Sequence, residues 1–221
     1  MTGSRYPPRR FLCGAGRRCC ARGLFADAIA AAEALLARSP GKPMAHRDAG
    51  VSLLYLGRAE ETVPWFRRAD ALAAGDDPLR WTWLQGLGGA LIQLGRDAEA
   101  VEALRLAAAS NPTYPPSHAL LAAALALAGE DAPARAAMAE FRRAEPGASV
   151  EATARNAAVP LAATDPLYQA GNARVLEGLR RAASPAAGCQ VAEHCWDPVG
   201  RAIVEYAHRF EGLRQARAGE V

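Results

Sequence analysis

Five cysteines and four histidines are the residues of this chain best suited to metal binding or nucleophilic chemistry. Their spacing argues against both. Cys13, Cys19 and Cys20 lie near one end, and Cys189 and Cys195 near the other with Glu193 and His194 beside them. A structural zinc site takes four ligands, with its cysteines paired across short gaps, and neither group has that pattern. An odd number of cysteines does not suit a disulfide framework either, so the thiols read as reduced and free. His46 and His118 fall at the fourth position of the repeat units defined below. A catalytic pair would have to converge on one point with a nucleophile, and no Ser, Cys or acid is placed to join them. Gly86, Gly88 and Gly89 sit inside a helical pattern with no strand before them, which is not a phosphate loop. The sequence therefore predicts no catalytic, cofactor-binding or metal-binding residue, no cofactor, and a protein that is not an enzyme.

Gly23, Gly57, Gly95 and Gly129 follow one another at intervals of 34, 38 and 34 residues. Each opens the same run of a glycine, a polar pair and an Ala-rich apolar stretch. A period near 34 is that of a stacked helical hairpin. With the glycine at the fifteenth position, the units are 9–42, 43–76, 81–114 and 115–148, with Asp77 to Arg80 inserted after the second. The eighth position then holds Gly16, Gly50, Gly88 and Ala122, small residues that let two helix backbones approach. The twentieth holds Ala28, Thr62, Ala100 and Ala134, and the thirty-second Pro40, Ala74, Pro112 and Pro146. Proline there ends the second helix.

In the third unit Leu84, Leu87, Leu91 and Leu94 recur at three and four, one face of an α-helix, and Val101, Leu104 and Ala108 repeat the pattern on its partner. Asp27 and Asp97 stand where a carboxylate can cap the second helix, and Glu60, Glu61 and Glu99 put negative charge at the positive end of its dipole. Pro64 and Pro133 fall near the start of their helices, where at most a small distortion is expected.

These positions resemble the tetratricopeptide repeat (TPR) over residues 9–148. The third unit is the cleanest, with Leu84, Leu87, Gly88, Leu91, Gly95, Ala100, Leu104, Ala107 and Pro112 in place. Departures are Cys19 at a bulky position of the first unit, Thr62 and Ala74 in the second, and Phe141 in the fourth. The resemblance implies an all-α, right-handed α-solenoid of about four hairpins. It also implies that the second, fifth, ninth, twelfth and thirteenth positions of each first helix line a concave groove. Those positions give a candidate peptide-binding set of Arg17, Met44, Arg47, Val51, Leu54, Tyr55, Gln85, Ile92, Gln93 and Leu127. Such a groove suits an acidic or amphipathic peptide, its acid meeting Arg17 or Arg47. Trp81 and Trp83, beside the insertion, either fill the seam between units or serve as an aromatic anchor.

Outside the repeats, 1–8 reads as a disordered N-terminus, 149–183 as capping helices that cover the last apolar face, and 184–221 as a linker with an amphipathic tail helix. That tail, with Val199, Ile203, Tyr206 and Phe210 at helical spacing, could pack on the array, occupy its groove or reach a partner. The segment from Asp165 to Ala183, with the run Asn111 to Ala124, also resembles the end of the TPR region that follows the catalytic domain in some bacterial class III adenylate cyclases. No cyclase catalytic domain is present in the 221 residues, so cyclase activity is not implied.

A net charge of +3, with Arg spread among Asp and Glu and no long basic run, gives no nucleic-acid surface. The longest apolar run, Ala119 to Ala128, is about half of what a membrane span needs. The expectation is a cytoplasmic scaffold or adaptor that binds a protein or peptide. The alternative is a stand-alone regulatory region of a cyclase- or transcription-regulator-type signalling protein. The oligomeric state is left open.

Overall fold

Gly57, Gly95 and Gly129 adopt φ of 70°, 72° and 81°, the left-handed region where a side chain is strained and glycine is not. Each closes a helix in the same way. The amide after the glycine donates five residues back (Arg58 to Leu53, 3.0 Å; Arg96 to Leu91, 2.9 Å; Glu130 to Leu125, 2.8 Å), and the glycine amide donates three back. This paired arrangement satisfies carbonyls that the helix end would leave open. The chain then enters the next helix at once, which makes a hairpin.

The computed structural model describes residues 25–145 and 166–183, and over them the fold is all-α. The helices are α1 (Phe25–Arg38), α2 (Pro43–Tyr55), α3 (Ala59–Leu72), α4 (Arg80–Gln93), α5 (Asp97–Ser110), α6 (Pro115–Leu127), α7 (Asp131–Ala144) and α8 (Pro166–Ala183). The pairs α2/α3, α4/α5 and α6/α7 are the second, third and fourth repeat units, and α1 is the second helix of the first. From α1 to α7 each helix packs on the next, and the first helices α2, α4 and α6 also touch one another. One apolar core runs from Leu54 at the end of α2 through α3 to α8, as stacked repeats require.

The eighth position behaves as its small residues predict. A Cβ built on Gly88 would lie 2.3 Å from Cγ of Leu104, and one on Gly50 would lie 3.1 Å from the ring of Phe66. Gly86 of the next unit abuts the same ring, and its added Cβ would lie 2.4 Å from it. The fully buried phenyl ring thus sits in a notch cut by two glycines, one from each unit. The Thr62 departure is accommodated by hydrogen bonding: its hydroxyl donates to the carbonyls of Arg58 (3.1 Å) and Gly50 (3.3 Å), so its one polar atom is paired inside the core.

Helix entries differ from expectation in one respect. Asp97 is the first residue of α5, not its cap; Arg96 holds the cap position and no side chain caps there. Pro43 and Pro115 instead start α2 and α6, where the missing N–H costs nothing. Pro64 is the sixth residue of α3, beyond the first turn, and the helix continues through it; Pro133 lies within the first turn of α7.

At the insertion, Asp70 receives both arms of Arg80 (2.8 and 3.0 Å) and the indole N–H of Trp83 (3.0 Å). The Arg80 guanidinium, helped by Trp83 and opposed by burial, holds the Asp70 carboxyl below its usual range. His46 and His118 share one structural role, each ring Nε2 meeting the carbonyl of the proline six residues before it (Pro40, 3.1 Å; Pro112, 2.9 Å).

Adjacent glycines give a test of the packing. Alanine in a helix interior is favoured over glycine by about 1 kcal/mol, and overfilling a tight contact costs about 1–3 kcal/mol. A Cβ on Gly89 meets nothing within 4 Å, whereas one on Gly88 runs into Leu104. Gly89→Ala is expected to raise the urea midpoint and Gly88→Ala to lower it. A rise for both would mean that the helices do not cross at Gly88.

Candidate functional site

The first helices α2, α4 and α6 face one side of the stack, and α8 lies against that side. It packs chiefly on α6 and also on α4 and α7, and its first turn reaches α2 through Tyr168, whose ring meets that of Tyr55 edge-on at 5.3 Å. In its described part, the stretch 149–183 expected to cap the array is one helix that packs on the last hairpin and reaches along α4 to α2. Residues 149–165 lie outside the described residues.

The local sequence of α8 explains the seat. Tyr168, Gly171, Val175, Gly178, Leu179 and Ala182 recur at three and four and so share one face. Tyr168, Val175, Leu179 and Ala182 are buried with the core. The two glycines stand where the helix backbone comes closest to the groove. A Cβ on Gly178 would be 2.5 Å from the backbone oxygen of Ala123 in α6, and one on Gly171 would be 2.6 Å from Oε1 of Gln93 in α4. The first contact is with backbone and cannot yield; the second is with the end of a flexible side chain. Between the glycines, Arg174 reaches over the Gly95 turn and its Nη2 donates to Oδ2 of Asp97 at 2.5 Å. On the opposite face Glu177 pairs with Arg181 at the surface (2.8 Å), an exposed pair of little energetic weight.

The predicted groove residues divide into three groups. Tyr55 and Gln93 are under α8. Met44, Val51, Gln85 and Leu127 are half-buried, Met44, Val51 and Leu127 packing against the core and Gln85 accepting a hydrogen bond from Ser117 of α6 at 3.2 Å. Leu54 and Ile92 are buried in the core, Ile92 completely, and present no surface to a ligand. Arg17 lies outside the described residues, as do all five cysteines, His194 and the tail 198–218.

Two expectations are corrected. Arg47 is not an open receptor for an acid: its Nη1 donates to Asp48 (3.0 Å) and its side chain is only 18% exposed. Trp83 is not an anchor, since it is 1% exposed and its indole N–H is bound to Asp70. Trp81 is half-buried, its ring 4.4 Å from that of Tyr114 at the other end of the same unit. The residues that sequence reasoning missed are Gly171, Arg174, Gly178 and Asp97. Their signal was two glycines seven apart on the apolar side of a segment already expected to be a capping helix.

Burial pushes the Tyr168 phenol up to about 12, because the phenolate would lose its water. A raised value means that the seat is fully stabilised below the ordinary tyrosine range near ~10 and loses that stabilisation as pH climbs to about 12. Stability measured by denaturant from pH 9 to 12 is expected to fall more steeply for the native chain than for Tyr168→Phe. Parallel curves would contradict the buried placement.

No family model matches the sequence, and no curated protein matches it. Among solved structures, MamA is 19% identical, with 75% of this chain and 95% of that chain covered at a TM-score of 0.55. YrrB, described as a TPR protein with an unusual peptide-binding site, is 18% identical over 76% of this chain and 80% of that one, at 0.54. TTC0263, a thermophilic TPR protein of Thermus thermophilus, is 23% identical over 74% and 87%, at 0.51. At these identities the likeness is one of fold: the chain has the TPR-like solenoid architecture.

Proposed function

We propose that the protein is a binding scaffold or adaptor without catalysis of its own, and that its concave groove takes a protein partner as an amphipathic helix or peptide. One observation carries the reading: the groove already accommodates an amphipathic helix, α8, through apolar burial, two close backbone approaches and one ion pair. Helix-in-groove recognition uses the same elements. Two further facts support it. The YrrB structure is described as having a peptide-binding site on a fold of this kind. The half of the groove formed by Met44, Val51, Thr82 and Gln85 is half-buried, which leaves side-chain surface to contact. Among the described residues no helix is long and apolar enough to cross a membrane, and we read the protein as cytoplasmic. A stand-alone regulatory region of a cyclase- or transcription-regulator-type signalling protein would use the same groove, and no residue in it favours that alternative.

The test is affinity capture with the full chain as bait, partners quantified by mass spectrometry, against a Val51→Asp/Gln85→Asp bait of unchanged helicity. Truncation at a binding hot spot costs about 2 kcal/mol or more, so capture is expected to fall at least about tenfold. Undiminished capture would remove the groove from the account.

A further inference from the structure

The contact between Arg174 and Asp97 is incomplete. One arm of the guanidinium meets one carboxylate oxygen, while Nε of Arg174 and Oδ1 of Asp97 are both buried without a hydrogen-bond partner. Arg and a carboxylate fit each other with two parallel bonds, so a buried donor and a buried acceptor go unused at this junction, and the penalty of that falls on the seated helix. Gly171 lies against Gln93, and its added Cβ would press on that flexible amide. The seat of α8 is thus specific in pattern and imperfect in fit.

Helices α1 to α7 pack each on the next, so the hairpins have contacts of their own besides those they make with α8.

We propose that α8 is a displaceable occupant of the concave groove, and that the external partner is an amphipathic helix bearing small residues seven apart with an Arg or Lys three positions after the first. This rests on the reading of the concave face as a protein-binding groove and adds what that partner must carry. The seven-residue spacing places two small residues on one face two turns apart, where the Ala123 carbonyl of α6 leaves no room for a side chain and the flexible Gln93 of α4 crowds one. The basic residue between them meets Asp97, which lies in the first turn of α5 and is the groove's acidic feature at that point. A partner's arginine that engaged both oxygens of Asp97 would satisfy the acceptor that Arg174 leaves open. The charge preference is therefore the reverse of the one expected from Arg17 and Arg47.

The probe is a fluorescein-labelled synthetic peptide of residues 166–183, titrated by anisotropy against the full chain. Gly178→Leu forces a side chain onto the Ala123 carbonyl and unseats the internal helix, so the variant is expected to bind the peptide at least about tenfold more tightly than the native chain, whose groove is seldom free. A peptide carrying Arg174→Glu is expected to bind the opened chain at least about tenfold more weakly than the native peptide. Should Gly178→Leu fail to fold, Arg174→Glu in the full chain opens the groove by charge repulsion and serves in its place. Equal affinity for native and opened chains, equal affinity of the two peptides, or no binding overturns the proposal. So does a native dimer that becomes monomeric on Gly178→Leu, since α8 would then be seated in the other copy. If the peptide fails while Val51→Asp/Gln85→Asp still reduces partner capture, the displaceable helix falls and the binding groove stands; the converse result separates them the other way.

Discussion

A β-carbon on Gly88 would stand 2.3 Å from Cγ of Leu104, and one on Gly178 would stand 2.5 Å from the carbonyl oxygen of Ala123. Both distances are far inside van der Waals contact, so the helices can lie where they do only because these positions lack a side chain. The first kind of approach builds the hairpin and, through Phe66 between Gly50 and Gly86, joins one unit to the next. The second seats α8 on the finished stack. Helix glycines ordinarily lower stability; here the burial of Leu104 and Phe66, both fully enclosed, offsets that cost.

The repeat architecture was legible because its determinants are local. A glycine that must adopt positive φ, a small residue at a helix crossing and a proline after the second helix each act within a few residues, and their recurrence at a fixed period is visible by inspection. The histidines could be read in the same way, since their equivalent positions pair with equivalent prolines. Trp83 was ambiguous for a different reason. Whether an aromatic beside an insertion is buried depends on Asp70 and Arg80, which lie 13 and 3 residues away, and on how they meet around it.

The groove was less legible. Register in the repeat suggests which positions face inward, but it cannot say that Tyr55 and Gln93 lie against α8, that Ile92 is swallowed by the core or that Arg47 is paired with its neighbour Asp48. Least legible was α8. Its apolar spacing suits a cap at the end of the stack as well as a helix along the concave face, because both bury one stripe. Gly171 and Gly178 on that stripe bring the helix backbone against Gln93 and the Ala123 carbonyl, a closeness that apolar spacing alone does not announce.

That placement gives the solenoid an occupied concave face, with an ion pair to Asp97 at the middle of the contact and a tyrosine pair at its first turn. Hydrogen exchange on the full chain, followed peptide by peptide, tests it most directly, because protection reports local opening. Seated α8 predicts slow exchange across 168–182, together with slow exchange in α4 and α6, and selective loss of protection in α8 on Gly178→Leu. Fast exchange of 168–182 in the native chain, with α4 to α7 still protected, would contradict the account.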